Sequence, residues 1–283
     1  MSSPARPRRS RMIVVWLLAA VLVGYLALVA LLAANQGKLI YPAPPAQGVP
    51  PGFAPVALRT ADGLTLTAGY RPARDGPPTV LFFHGNGMVW PDGVHVTERL
   101  AARGYGLLLA EYRGYNGNPG EPSEEGLYRD GRAALEFLAE QGVAGADVVV
   151  MGLSVGSGPA VQLASEHRVR ALILVSPFAS LTATASAAYP WLPARLVLRD
   201  RYDNLAKLPR VEAPVLILHG EADRLIPHAQ AELLAEANPR AELVSLPGRG
   251  HNMAADPAVQ RLELEFLEKI ARRPRGASPS SRG

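Results

Sequence analysis

Four short stretches carry residue types that do acyl-transfer chemistry. Gly152-Leu153-Ser154-Val155-Gly156 places one serine between two glycines. His219-Gly220-Glu221-Ala222-Asp223 supplies an acid, Pro247-Gly248-Arg249-Gly250-His251 a base, and His84-Gly85-Asn86-Gly87 a turn rich in free amides. A serine hydroxyl is a weak nucleophile until a base removes its proton, and the base works best when an acid orients it. Ser154, His251 and Asp223 are therefore the candidate catalytic residues. Asn86 and Val155 are the candidate backbone N–H donors for a developing oxyanion. Taken alone, each stretch has an ordinary reading: a solvated turn serine, a capping aspartate, a helix-start histidine. Glu221 competes with Asp223 for the acid role. His219 reads as structural, and His84 as a loop histidine bonding backbone.

The elements that must position these residues decide the matter. Val56–Thr60 and Leu64–Tyr70, joined through Asp62-Gly63, read as an antiparallel hairpin. Short apolar runs at Thr79–Phe83, Leu107–Glu111, Asp147–Met151, Ala171–Val175, Val215–Leu218 and Glu242–Leu246 read as strands. Helical patterns at Val94–Arg103, Ser123–Gln141, Val155–Glu166, Ala229–Ala237 and Pro257–Ala271 alternate with them, with Ser123 as an N-cap. Apolar strands spaced by helices predict an α/β fold with a mostly parallel sheet flanked by helices. Ligands and chemistry collect beyond the carboxyl ends of such strands. Each of the four stretches directly follows its own predicted strand. A Gly-x-Ser-x-Gly between a strand and a helix is a nucleophile elbow, and the helix start favours negative charge.

Composition narrows the class further. The 283-residue chain has no cysteine, which excludes disulfides, thiolate metal sites and a cysteine nucleophile. Its net charge of +4 is concentrated at the ends, with Arg6, Arg8, Arg9 and Arg11 at one and Arg272, Arg273, Arg275 and Arg282 at the other. A near-neutral middle without a basic stripe predicts no nucleic-acid partner. No metal or organic cofactor is expected.

Met12–Ala34 is an uncharged apolar run of 23 residues. As a helix of about 34 Å it is long enough for a hydrocarbon core of about 30 Å. The expectation is an uncleaved transmembrane signal anchor at 12–34 after a basic N-terminus at 1–11. The arginines place the N-terminus in the cytoplasm and the following domain outside, periplasmic in a Gram-negative source. The alternative is a cleaved signal and a secreted domain. A Pro-rich linker at 35–55 reads as a semi-rigid spacer. The folded α/β domain is expected at 56–271, with a short cap around 177–210 and a disordered tail at 272–283.

Several stretches together carry a resemblance: "FFHGNG", "EYRGYNGNPGEPSEEGLYRDGRAALEFL", "GLSVGSGPAVQLA", "SPFASL", "YDNLAKL" and "LILHGEADRLIPHAQAELL". The chain resembles α/β-hydrolase serine hydrolases, in which the triad follows the order Ser, Asp, His. More narrowly it resembles the membrane-anchored bud-emergence-type (BEM-type) subgroup, over about Lys38 to Ile270. That resemblance implies Ser154, Asp223 and His251 as the triad. Two loops depart from the subgroup. Gly87-Met88-Val89-Trp90 stands where Ala-Gly is usual, and Asn116-Gly117-Asn118 where Gly and Ser are usual. Met88, Trp90, Tyr112 and Phe178 are candidate substrate-pocket residues, with Tyr189 and Trp191 further along the cap; core packing is the competing reading. Arg113 reads as a pocket residue or as an ion-pair partner of Asp130 or Glu111. The expected reaction is hydrolysis of a small-molecule or lipid carboxylic ester or thioester through an acyl-serine intermediate. A serine peptidase and a non-catalytic membrane-tethered scaffold are the alternatives.

Overall fold

A computed structural model describes residues 7–272, apart from 75 and 77. The tail expected at 272–283 lies outside the described residues except Arg272, as do residues 1–6. An eight-stranded sheet has the order β1 (Ala54–Arg59), β2 (Thr65–Arg71), β4 (Gly106–Ala110), β3 (Thr79–Phe83), β5 (Val148–Leu153), β6 (Ala171–Val175), β7 (Val215–Gly220) and β8 (Ala241–Leu246). β2 runs antiparallel to both β1 and β4, and the remaining neighbours are parallel. β3 to β7 are wholly buried, and apolar apart from Thr79 and His219, because helices cover both faces. β8 is an edge strand and only half-buried.

Two core clusters, one on each face of the sheet, follow from the alternation of side chains along the strands. Leu81, Phe83, Val150, Leu172 and Ile217 belong to one, with α4 (Glu124–Glu140) and α5 (Ser157–Glu166) packed over them. Val80, Phe82, Val149, Ile173 and Leu216 belong to the other, under α10 (Pro257–Ala271). The expected N-cap of α4 is present, with the Ser123 hydroxyl accepting from the Gly126 amide at 3.1 Å.

The helix expected over 94–103 is broken. It comprises a 3₁₀ turn at Trp90–Asp92, α2 (Gly93–Val96) and α3 (Glu98–Ala102). The break is at buried Thr97, whose hydroxyl donates to the Gly93 carbonyl at 2.8 Å. Such back-bonding by threonine competes with the regular helix ladder.

α1 spans Pro7–Ile40, six residues beyond the expected apolar boundary, and from Arg11 to Ile40 it is long and apolar enough to cross a membrane. The segment after it is less of a free spacer than its prolines suggest. The Gln47 amide donates to Asn116 Oδ1 at 2.7 Å and its side chain to Asp92 Oδ1 at 2.9 Å, which lays the linker on the domain. Between β6 and β7 lie α6 (Leu181–Ala188), α7 (Ala194–Val197), α8 (Asn204–Lys207) and a 3₁₀ turn, together a short cap. α9 (Ala229–Ala237) connects β7 to β8.

Candidate active site

β5 ends at Leu153, and the chain turns through a 3₁₀ segment, Ser154–Gly156, into α5. Ser154 has φ of 51°, a conformation costly for a residue with a side chain. The turn persists because its neighbours leave no alternative. A Cβ on Gly156 would collide with the carbonyl oxygens of Phe83 and His84, and one on Gly152 with Gly156 and Ala160. The two glycines thus let the elbow press against the end of β3.

The three candidate catalytic side chains meet there. His251 Nε2 lies 2.9 Å from Ser154 Oγ, and His251 Nδ1 lies 2.8 Å from Asp223 Oδ2. A carboxylate only accepts, so Nδ1–H donates to Asp223 and Nε2 is left to accept from the Ser154 hydroxyl. Asp223 Oδ1 accepts the amides of Leu225 and Ile226, both at 2.9 Å. Burial by itself would raise the Asp223 pKa. Hydrogen bonds from His219, His251 and the Ile226 amide outweigh it and hold the carboxyl well below its ordinary range. Asp223 is buried, while the His251 side chain keeps 16% of its surface exposed. Glu221 is exposed on the turn before it.

Two further residues shape this cluster. His219 is fully buried, and its Nε2 donates to the Ile226 carbonyl at 2.9 Å while lying 3.4 Å from Asp223 Oδ2. Ser176, with φ of 47°, donates its hydroxyl to the His251 carbonyl at 2.9 Å and so fixes the histidine loop against the end of β6. A histidine four residues before the aspartate was the available signal for the first. Nothing local marks Ser176, because its partner is 75 residues away.

The turn after β3 is held by a second histidine–carboxylate pair. His84 Nε2 lies 2.7 Å from Glu111 Oε1, and Nδ1 lies 2.9 Å from its neighbour's carbonyl at Gly85. Both side chains are fully buried. Glu111 also accepts the amides of Trp90 at 2.9 Å and Tyr112 at 3.0 Å. The Tyr112 hydroxyl donates to the His84 carbonyl at 2.8 Å. Burial first, then the Glu111 charge, pushes the Tyr112 phenol well above its ordinary range, so it remains a donor. His84 therefore bonds backbone as expected, but its main partner is Glu111. Arg113 pairs with Asp130 and Asp62, both at 2.8 Å, and Glu111 is not among its partners.

The candidate pocket residues divide. The Trp90 ring is buried against Gly69 of β2, where a Cβ would overlap it, and beside Phe53 at 6.1 Å between centroids. Its expected place on a pocket wall gives way to a core role, because the missing side chain at Gly69 leaves a space the indole fills. Tyr112 supports the His84 turn, 4.2 Å from that ring. Phe178 packs edge-on to Tyr202 and is buried. Met88 is half-buried. Among the described residues, the amides of Asn86 and Val155 take part in no backbone hydrogen bond of a loop or turn. Among the described residues, no three His, Asp or Glu side chains gather into a group that could hold a metal ion.

The family described as "Serine aminopeptidase, S33" matches residues 77–202, and the family described as "TAP-like protein" matches residues 194–278. An uncharacterized protein of Mycobacterium tuberculosis is 40% identical over 228 residues, covering 77% of this chain and 81% of that one. The α/β hydrolase domain-containing protein aho-3 of Caenorhabditis elegans is 35% identical over 206 residues, 71% of this chain and 58% of the worm protein. An esterase of Pyrococcus furiosus has the same fold, with a TM-score of 0.69 over 81% of this chain and 97% of its own, at 19% identity. With the sheet order and the crossovers described above, these matches mean that the chain belongs to the α/β-hydrolase family.

Proposed function

We propose that the protein is a membrane-anchored serine hydrolase that cleaves carboxylic esters or thioesters of acyl or lipid type. One observation carries this reading: the continuous chain of hydrogen bonds from Ser154 Oγ through His251 to Asp223, at the ends of three different strands. Within the family, the motifs quoted above favour the BEM-type subgroup.

In the proposed mechanism Ser154 Oγ attacks the acyl carbon and its proton passes to His251 Nε2. Asp223 stays ionised and steadies the imidazolium through Nδ1–H. The oxyanion is received by the Asn86 and Val155 amides, close to the start of α5. Collapse of the tetrahedral intermediate breaks the bond to the leaving group, which takes the proton from Nε2. Water then enters, gives a proton to the same nitrogen and attacks the acyl-serine carbon; collapse breaks the bond to Ser154 Oγ, which takes the proton back from Nε2, and the acid leaves. Because His251 must be neutral to accept the first proton, activity should decline in acid.

Labelling with a fluorophosphonate probe tests this directly. Wild-type protein should label and Ser154→Ala should not. Folded wild-type protein that fails to label would support the scaffold reading instead. The serine-peptidase reading has a specific support in the "Serine aminopeptidase, S33" match. A substrate panel of acyl esters, thioesters and aminoacyl amides separates the two, and turnover of the amides alone would favour the peptidase.

A further inference from the structure

α1 does not stand clear of the rest of the molecule. One stripe of it docks onto the cap. The Tyr25 hydroxyl donates to the Trp191 carbonyl at 2.9 Å. Gln36 is buried, donating from Nε2 to the Val197 carbonyl at 3.2 Å and accepting the Arg199 amide at 2.8 Å. Val29, between them on the same helical face, is buried as well. Beyond the helix, the Tyr41 hydroxyl donates to Asp200 at 2.7 Å.

The position of these contacts along α1 matters. Met12 to Tyr25 covers only about 20 Å at about 1.5 Å per residue, short of a hydrocarbon core of about 30 Å. If the apolar run crosses a bilayer, the hydrocarbon must extend past Tyr25. It then surrounds whatever is docked there, which is the cap edge from Tyr189 to Val197. That edge has the surface such a place requires. Tyr189 is 53% exposed, Trp191 49% and Leu196 86%, and Pro190 and Pro193 lie among them. Backbone polar groups in lipid need partners. Tyr25 and Gln36, polar side chains at either end of the docked stripe, supply them to Trp191, Val197 and Arg199. Arg195 and Arg199 are exposed and in no ion pair among the described residues, suited to anionic headgroups at the rim.

We propose that the cap edge Tyr189–Val197, clamped to α1 through Tyr25 and Gln36, is a membrane-inserted surface that seats the carboxyl end of the sheet on a lipid bilayer. The cap begins immediately after Ser176, the residue bonded to the His251 loop, so this seating turns the candidate active site toward the membrane. Substrates carried in the bilayer are then delivered without crossing water. The inference rests on the membrane-anchor part of the proposed function and does not need Ser154 to be a nucleophile.

The absence of cysteine makes a clean test available. Full-length protein carrying Leu196→Cys, Val15→Cys or Leu233→Cys is labelled with an NBD fluorophore and reconstituted in phosphatidylcholine–phosphatidylglycerol vesicles containing doxyl-labelled lipid. Val15 lies in the first half of α1, and Leu233 is an exposed position on α9. The expected result is strong lipid quenching at 15 and 196 and little at 233. Quenching at 15 but not at 196 overturns the proposal and leaves the anchor reading standing. No quenching at either removes both. A blue shift at 196 without lipid quenching means that protein covers the site, such as a second copy of the chain, and also overturns the proposal.

Discussion

Two histidine–carboxylate pairs sit at strand ends on the same side of the sheet, and they are alike in their first bond. His84 meets Glu111 at 2.7 Å and His251 meets Asp223 at 2.8 Å. They differ in what the other ring nitrogen meets. For His84 it is the Gly85 carbonyl, an acceptor that can do nothing but hold a proton in place. For His251 it is the Ser154 hydroxyl, which has a proton to give. They differ also in access, since His84 is fully buried while His251 keeps an exposed edge. The same pairing is thus a structural brace in one loop and, under the proposed function, a proton relay in the other. A third buried carboxylate, Glu263 on α10, completes the contrast: neither oxygen has a hydrogen-bond partner among the described residues, and burial pushes its pKa well above the ordinary range.

Substitutions can break this contrast. The largest effect is expected for Ser154→Ala, with kcat/KM for a short-chain ester falling by about 10⁴–10⁶-fold and the melting temperature barely changed. Asp223→Asn comes next, with a fall in kcat of about 10³–10⁴-fold, because an amide at this position can present its N–H to Nδ1 and favour the wrong tautomer. A loss below tenfold would remove Asp223 from the relay. The sign of its pH effect also follows. A folded-state pKa below the unfolded value stabilises the protein above about pH 4 and is lost as the pH falls through the folded pKa. Denaturation of wild type and Asp223→Asn should therefore differ by a constant amount from pH 5 to pH 8 and converge only in stronger acid.

Glu111→Ala should behave in the opposite way to Ser154→Ala. Removing one partner of a buried pair costs about 3–5 kcal/mol, read by urea denaturation, and labelling by a fluorophosphonate should survive in the fraction that stays folded. If Glu111→Ala abolished labelling without loss of stability, the brace and the relay would not be separate devices. The smallest effect is expected at Glu263. Glu263→Met removes a buried carboxyl with no partner and should stabilise the protein by about 1–3 kcal/mol near pH 5. A raised folded-state pKa contributes stability below the unfolded value and loses it as the pH rises, so the advantage of the variant should widen toward pH 8.

Much of this arrangement could be read along the chain. The strand before each of the four motifs is present, within a residue or two of its expected bounds. Hydrophobic periodicity makes such runs legible. The spacing of Gly152 and Gly156 around Ser154 was informative because only small residues tolerate the contacts those positions make. Other features were not legible. Thr97 breaks a helix through a hydroxyl bond that a periodic pattern does not reveal. Trp90 looked like a pocket residue because it follows the His84 turn, but the space at Gly69, twenty-one residues earlier, decides where its ring goes. Asp130 and Glu111 were equally open as partners for Arg113; the guanidinium reaches Asp130, and Asp62 besides, and leaves Glu111 to His84.

The sequence by itself therefore determined the alternation of strands and helices, the glycine-flanked serine and the order of serine, acid and histidine. These depend on local backbone preference and on periodic apolar patterning, which neighbouring residues carry. Only the tertiary structure decided which carboxylate each histidine meets, which aromatic rings are core, and that α1 lies against the cap edge. Those outcomes depend on distances between residues far apart in the chain, such as Tyr25 and Trp191 or Ser176 and His251. A hydrogen bond over about 3 Å is set by how the packed sheet and helices bring two loops together, and no local pattern records it.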